Sequence, residues 1–180
     1  MKKIIILTCI ASLCASSGLI AQTLSDEDIR SQFIKDWERA KAFTIDYMNT
    51  MPASKYSFKA TDSIRNFAQQ MLHLAQVNII TIAFVAGETN IIGDRVLENS
   101  KTAQSKDSVM YYVVASYDLV TDGIKKMNIT SLNEKVKFGN QQETKYAWLL
   151  KAFEHQTHHR GQTTVYIRLA GLHPPQERLF

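Results

Sequence analysis

Four long stretches of the sequence repeat apolar residues every three or four positions, and this period constrains the fold more than any other feature. In the first stretch the repeating residues are Ile29, Phe33, Trp37, Ala40 and Phe43. In an α-helix such spacing collects side chains on one face, whereas a half-buried strand needs a period of two. Because no strand-like ladder emerges between the stretches, the sequence predicts an all-α, up-down four-helix bundle.

Capping and stop signals predict where the first and last helices begin and end. Ser25, with Asp28 three residues later, resembles a capping box, and the helix that follows must end before Pro52. The last helix is predicted over about residues 144–170, with Gly171 as a suitable C-terminal stop. These boundaries are independent of the apolar period and agree with it.

The two central helices are bounded less sharply. The second is predicted over about residues 61–86, with Gly87 as its C-terminal stop. Residues 88–107 read as a polar connection that contains at most a short helical turn. The stretch 108–127 is rich in β-branched and aromatic residues, but its length and its three-to-four-residue period favour a helix. Residues 131–142 are predicted to form a loop.

The N-terminal residues have the pattern of a secretory signal peptide. In MKKIIILTCIASLCASSGLIAQ, two lysines precede an apolar run that tapers into small residues, which predicts a leader over residues 1–21 with cleavage after Ala21. The remaining residues, 22–180, then form one domain, since no repeat or linker divides them. The predicted location is periplasmic or extracellular. No basic stop-transfer flank follows the apolar run, so no permanent membrane anchor is expected.

Composition excludes several kinds of function. The only cysteines, Cys9 and Cys14, lie in the predicted leader, so the mature domain would have no disulfide, no thiolate nucleophile and no cysteine metal ligand. The formal charge of +4 falls to about +2 without Lys2 and Lys3. The remaining basic residues are scattered singly or in pairs, and therefore no nucleic-acid partner is predicted.

The string EHQTHHRGQ, residues 154–162, supplies candidate metal ligands on the last helix. His155 and His159 are four residues apart, so they lie one turn apart on the same face and can both reach one cation. His158 points roughly 60° away from His155 and is treated as a flanking residue. His73 of the second helix is the third candidate, although a lone histidine among apolar neighbours is more often a hydrogen-bonded core residue.

The segment HQTHHRGQTTVYIRLAGLHPP, together with the histidine in MLHLAQVN, resembles the signature of the DinB/YfiT-like superfamily. The resemblance spans the mature chain in helix order and loop lengths. It implies a four-helix bundle with a three-histidine divalent-metal site, which by position would be His73, His155 and His159. Homodimers are common among such proteins, and the resemblance implies one here.

Three neutral imidazoles around a divalent ion leave at least one coordination position open, which is the layout of a catalytic site. Zinc is the default metal for such ligands, and nickel, iron or manganese also suit them. The resemblance implies two reactions on a small-molecule substrate, namely thiol transfer and metal-assisted hydrolysis. The predicted leader counts against thiol transfer, because an exported enzyme has no obvious supply of a reduced cytosolic thiol.

Four further side chains are candidate hydrogen-bond partners of the ligands or the metal: Asn66, Gln70, Gln162 and Tyr166. The alternative for each of these residues is a purely structural role, as a polar residue at a helix edge or as a buried core residue. No dedicated general base is identified, so the catalytic residues stay unassigned.

Two other interpretations of the chain remain open. One is a non-catalytic metal- or ligand-binding bundle, and the other is a structural bundle whose histidines only satisfy one another. Arg160 lies off the ligand face and is interpreted first as a helix–helix or loop-anchoring contact.

Overall fold

The computed structural model describes residues 24–180, which form four long α-helices and one short β-hairpin. The helices are α1 (Asp26–Thr50), α2 (Phe67–Ala86), α3 (Lys106–Lys126) and α4 (Lys145–Leu169). The antiparallel strands are β1 (Lys135–Phe138) and β2 (Gln141–Thr144). The predicted all-α four-helix bundle is confirmed. The predicted leader, residues 1–21, lies outside the described residues.

The predicted capping box of the first helix is confirmed. The Ser25 hydroxyl accepts a hydrogen bond from the Asp28 backbone N–H at 3.1 Å, and the Asp28 carboxylate accepts one from the Ser25 backbone N–H at 3.1 Å. Two of the N–H groups that a helix start leaves unpaired are thereby satisfied. At the other end of the chain, Gly171 follows α4 with a φ of +79°, a left-handed conformation that glycine adopts without strain.

Helix α2 begins later than predicted, at Phe67 instead of about residue 61. The start is fixed by Asn66, whose side chain accepts from the Gln69 backbone N–H at 2.7 Å while the Gln69 side chain accepts from the Asn66 backbone N–H at 2.9 Å. Residues 61–64 form turns and bends. Asp62 is an equally good capping residue by type, and so the sequence did not distinguish the two starts.

The segment 131–142, predicted as a loop, contains most of the β-hairpin. Phe138 pairs with Gln141, which leaves a two-residue turn whose first residue, Gly139, has a φ of +57°. The hairpin is tied to the bundle because the Val136 carbonyl accepts a hydrogen bond from Trp148 Nε1 of α4 at 3.0 Å. Lys135–Phe138 alternates polar and apolar residues ahead of Gly139-Asn140, so the sequence did contain a hairpin signal. The partner strand, Gln141–Thr144, has no apolar residue to continue the pattern, and the segment was therefore predicted as a loop.

The four helices enclose one continuous core. Helix α2 packs against α3 and α4, and α1 packs against the same two helices, so that α1 and α2 occupy opposite corners of the bundle. Among residues 24–180, α2 is the one helix long and apolar enough to cross a membrane by length and composition, but most of its apolar stretch is buried within the bundle. Its apolar character therefore has a sufficient explanation as the central core helix.

Alanine substitutions at two glycines inside helices should have opposite effects on the stability of the protein. A Cβ at Gly123 of α3 would lie 2.7 Å from Cγ1 of Ile82, a fully buried residue, whereas a Cβ at Gly161 of α4 meets nothing within 4 Å. We expect Gly123→Ala to be destabilising, because overpacking of about 1–3 kcal/mol exceeds a propensity gain of about 1 kcal/mol. Gly161→Ala should stabilise by about 0.5–1 kcal/mol. Urea unfolding of both variants measures the difference, and equal stabilisation would contradict the close α2–α3 approach.

Candidate metal centre

Three histidines from two facing helices meet at one point of the bundle. His73 projects from the middle of α2, while His155 and His159 project from successive turns of α4. Their candidate ligand nitrogens all lie within 4.8 Å of one another, and the Nε2 atoms of His73 and His155 are 3.3 Å apart. His158 is exposed, with its ring 5.0 Å from that of His159, and is not part of this group. The structure thus brings together the three residues that the sequence analysis grouped.

Hydrogen bonds from the rest of the protein orient two of the three rings. His73 Nδ1 lies 2.7 Å from Glu98 Oε2, and His159 Nδ1 lies 2.8 Å from Gln70 Oε1. Both partners are oxygen acceptors, so Nδ1 carries the proton in each ring and the lone pair is left on Nε2. This is the usual arrangement around metal-bound histidines, in which the second ring nitrogen donates to a carboxylate or an amide.

His155 has a different environment from the other two rings. Its Nδ1 is buried and has no hydrogen-bond partner among residues 24–180, while its Nε2 faces Nε2 of His73. Two imidazole lone pairs at 3.3 Å repel each other unless a proton or a cation lies between them. The donor set therefore fits a divalent cation, which accepts nitrogen lone pairs from several directions at once.

The three imidazoles are held neutral, as metal coordination requires. Burial lowers the pKa of His155 to about 4, with the neighbouring His73, His158 and Arg65 acting in the same direction. Burial, followed by the adjacent His155, likewise lowers the pKa of His159 to about 3. For His73, burial and Arg65 lower the pKa and outweigh the opposite effect of Glu98. At neutral pH the site consequently presents lone pairs instead of positive charges.

Glu98 was not predicted from the sequence, although its carboxylate lies 2.7 Å from Nδ1 of the candidate ligand His73. Glu98 lies in a short 3-10 turn that begins at Leu97, a residue that is only 1% exposed. The Leu97 backbone N–H donates a hydrogen bond to Gln76 Oε1 of α2 at 2.8 Å. The turn is therefore anchored on α2 beside His73. Leu97 is one of several apolar residues in an otherwise polar connection, and nothing in the sequence singled it out as an anchor.

Arg65, also missed, completes the surroundings of Glu98. Its Nε and Nη2 donate to the two carboxylate oxygens at 2.8 and 3.1 Å, a bidentate ion pair. Burial acts to raise the pKa of Glu98, but the hydrogen bonds and positive charge of Arg65, together with His73, outweigh it and hold that pKa below its usual value. Glu98 is thus a carboxylate with both oxygens engaged, and it fixes the His73 ring in place.

Gln70 and Tyr166 form a relay behind His159. Gln70 Oε1 accepts from His159, and Gln70 Nε2 donates to the Tyr166 hydroxyl at 3.4 Å. The Tyr166 hydroxyl donates in turn to the Arg65 backbone carbonyl at 2.6 Å. Tyr166 is 2% exposed and is linked to His159 through Gln70. The relay connects α4, α2 and the segment before α2 through one chain of hydrogen bonds.

The other two candidate partners lie farther from the imidazoles. The Asn66 side chain caps α2 and donates to Gln104 Oε1 at 3.1 Å. Gln162 is exposed and lies on the wall of an open, polar cleft of about 620 Å³ that His159, Arg65 and Glu98 also line. The cleft gives solvent and small molecules a route to one side of the histidine group. Residues 88–107 thus contribute to the site, which their polar composition alone did not indicate.

The depressed histidine pKa values predict how the stability of metal-free protein depends on pH. In the unfolded chain His155 and His159 titrate near 6.5, well above their folded pKa values of about 4 and about 3. As the pH falls below about 6.5 the unfolded chain takes up protons first, and the free energy of unfolding falls by about 1.4 kcal/mol per pH unit for each proton. Urea unfolding with chelator at pH 7, 6 and 5 measures this slope. A double variant, His155→Gln with His159→Gln, should flatten it, and an unchanged slope would contradict the assignment.

Comparisons with known proteins identify relatives of this chain. A family model described as the DinB family matches residues 21–178. The uncharacterized protein YrdA of Bacillus subtilis (strain 168) is 25% identical over 148 residues, which cover 79% of this chain and 84% of that protein. A DinB-like protein from Bacillus cereus ATCC 10987 has a TM-score of 0.70 at 17% identity, over 82% of this chain and 97% of that chain. The DinB-like protein YjoA of Bacillus subtilis has a TM-score of 0.62 at 17% identity, over 83% of this chain and 96% of that chain.

The two kinds of comparison carry different weight. The solved structures, at 17% identity, establish a common fold and nothing more. The family match, in contrast, extends over nearly the whole chain and includes all three histidines of the site. The chain belongs to the DinB family.

Proposed function

We propose that this protein is an exported metal-dependent enzyme that binds one divalent cation through His73, His155 and His159. The observation that carries the proposal is the convergence of the ring nitrogens, with the Nδ1 atoms of His73 and His159 already engaged by Glu98 and Gln70. Zinc is the default cation for three imidazoles, and nickel, iron and manganese are compatible alternatives.

The chemistry of such a site follows from its open side. A divalent cation held by three neutral imidazoles supplies Lewis acidity that acidifies water or a thiol and polarises a carbonyl group. The protein's own contribution is orientation, since Glu98 and Gln70 fix two of the rings and the polar cleft beside His159 admits a small molecule. The cleft carries side chains of both charges, including Arg65, which suits a polar substrate.

Hydrolysis of a small-molecule ester or amide is the first candidate reaction. Its support is the leader-like pattern of residues 1–21, because a protein outside the cytosol has water but no obvious pool of reduced thiol. Thiol transfer is the second candidate, favoured by one specific observation. Both Glu98 oxygens are engaged by Arg65 and His73, so this carboxylate is not free to accept a proton from water. A thiol is far more acidic than water and would lose its proton without such a base.

Metal loading followed by turnover assays tests the proposal. The purified protein is dialysed against zinc, nickel or manganese, and bound metal is quantified by mass spectrometry. We expect one metal ion per chain, and absence of stoichiometric metal after loading would contradict the site. The loaded protein is then offered esters, amides and thiol-plus-electrophile pairs. Metal binding without any turnover would leave a non-catalytic metal-binding bundle as the function.

Location and assembly are parts of the same proposal. Export is supported by residues 1–21, and a homodimer is supported by the family resemblance. Cell fractionation of the tagged full-length chain measures the first, with recovery in the cytosol as the contradicting result. Light scattering coupled to size-exclusion chromatography measures the second, and a mass near 20.4 kDa or slightly lower after cleavage would indicate a monomer.

Loss of the Glu98 carboxylate should weaken metal binding without unfolding the protein. Glu98→Ala removes the acceptor that orients His73, and a lost partner of this kind lowers metal affinity by about 10–100-fold. Competition with a chromophoric chelator measures the affinity. Glu38→Ala is the matched control, because Glu38 forms an exposed ion pair with Lys125 on the bundle surface, and it should leave the affinity unchanged. Equal effects of the two substitutions would contradict the orienting role.

A further inference from the structure

A second cleft lies where the C-terminal segment crosses α1 and α4. Its volume is about 580 Å³, and its walls include Tyr47 of α1, Arg160 and Arg168 of α4, and His173 of the C-terminal segment. None of the three candidate metal ligands lines it. This cleft has no part in the function proposed above, and its most unusual feature is the burial of Arg160.

Arg160 is 6% exposed, and the side chains that accept its hydrogen bonds are neutral. Its Nη1 donates to Gln156 Oε1 at 2.7 Å and to Thr44 Oγ1 of α1 at 3.4 Å. Its guanidinium carbon lies 4.8 Å from the centroid of the Phe43 ring. The interpretation of Arg160 as a helix–helix contact is in keeping with these distances. None of these contacting groups carries a negative charge, although the Arg160 guanidinium is positively charged, as arginine always is in proteins.

The chain offers Arg160 no internal counter-ion. Among residues 24–180, no carboxylate lies within 4.0 Å of its guanidinium, and two carboxylates on α1, Asp36 and Asp46, are paired with Arg39 and Arg178 at 3.2 and 2.8 Å. Residues 1–23 contain neither aspartate nor glutamate, so that segment cannot contribute one either. A buried charge is costly unless it is paired, and therefore the opposite charge for Arg160 is expected from outside the chain.

We propose that this second cleft binds a small oxyanion, a carboxylate or phosphate group, with Arg160 as its principal recognition residue. Within the described residues only Nη1 of Arg160 has hydrogen-bond acceptors, which leaves Nε and Nη2, a parallel pair of donors that matches two oxygens of one oxyanion. Arg168 and His173 add basic side chains at the rim, against one acidic lining residue, the exposed Glu177. The oxyanion is either a free ion or the charged end of a larger molecule.

Calorimetric titration of inorganic phosphate into the purified chain tests this site at constant ionic strength. We expect saturable binding by the wild-type protein and its loss, by at least about tenfold in affinity, in Arg160→Met. The matched control is His159→Ala, which removes a candidate metal ligand and should leave phosphate binding unchanged. The reverse pattern, with binding lost in His159→Ala and kept in Arg160→Met, would place phosphate at the metal site and overturn the proposal.

A second variant keeps the test decisive if Arg160→Met does not fold. The double substitution Arg168→Gln with His173→Gln changes only exposed rim residues and should weaken phosphate binding by several-fold. Unchanged affinity in this variant overturns the proposal, as does the absence of binding heat with wild-type protein. Titration with phenyl phosphate separates the two sources of the oxyanion, since tighter binding than inorganic phosphate indicates the charged end of a larger molecule and equal binding a free ion.

Discussion

Alanine in place of His159 is expected to lower the affinity for a divalent metal by more than about 100-fold and to abolish any metal-dependent turnover. The expectation follows from the geometry, because His159 supplies one of only three converging nitrogens among the described residues. Loss of an orienting partner alone costs about 10–100-fold, and loss of a ligand itself must cost more. Competition with a chromophoric chelator gives the affinity, and mass spectrometry gives the stoichiometry.

The sequence provides a matched control for this prediction in the adjacent histidine. His158 precedes His159 on the same helix, is exposed, and contributes no nitrogen to the group. His158→Ala should therefore keep full metal stoichiometry, and circular dichroism should show the same helix content in both variants. If His158→Ala abolished binding while His159→Ala did not, the cation would sit on the surface of α4 and the proposed site would be wrong.

A third substitution distinguishes a shared site from a simple pair of histidines on one helix. His73→Ala removes the one candidate ligand that α2 contributes, while the ion pair between Arg65 and Glu98 can persist without it. We expect His73→Ala to weaken binding to an extent similar to His159→Ala. Binding that survives this substitution would show that His155 and His159 bind the cation without α2.

The bundle could be predicted from the sequence because its main determinants are periodic or local. The apolar period needs only the order of residues along one helix, and the capping box of Ser25 and Asp28 spans three residues. The pair His155 and His159 was visible for the same reason, since one helical turn separates them. Grouping His73 with that pair depended on the family resemblance as well, because nothing local in α2 distinguishes a ligand from a core histidine.

The features that escaped prediction depend on contacts between distant parts of the chain. Glu98 reaches His73 only because Leu97 and Gln76 anchor its turn on α2, and no spacing in the sequence encodes that contact. The hairpin is stabilised by Trp148, a residue of the following helix. The true start of α2 was decided by reciprocal bonds of Asn66 after Asp62 had offered an equivalent cap. In each case the residue that determines the local structure either lies in another part of the chain or is one of two residues equally suited to the role.

Trp37→Ala is the other substitution expected to have a large effect, this time on the fold. Trp37 is fully buried in α1 and makes edge-to-face contacts with Tyr117 of α3 at 5.7 Å and Phe153 of α4 at 5.4 Å. Removing so large a side chain costs about 3–5 kcal/mol, a major part of the roughly 5–15 kcal/mol that stabilises a typical domain. Urea unfolding followed by circular dichroism should show a much lower transition midpoint for this variant.

Trp37→Phe separates the contribution of ring packing from that of the indole N–H. The Trp37 Nε1 atom is buried without a hydrogen-bond partner among the described residues, so its removal sacrifices no bond and relieves an unpaired polar group. Phenylalanine keeps an aromatic ring between α3 and α4, and we expect a cost below about 1.5 kcal/mol. A cost as large as that of Trp37→Ala would show that the indole itself is required. Since Phe153 precedes His155 by two residues on α4, the same packing also fixes the helix that presents two of the three candidate ligands.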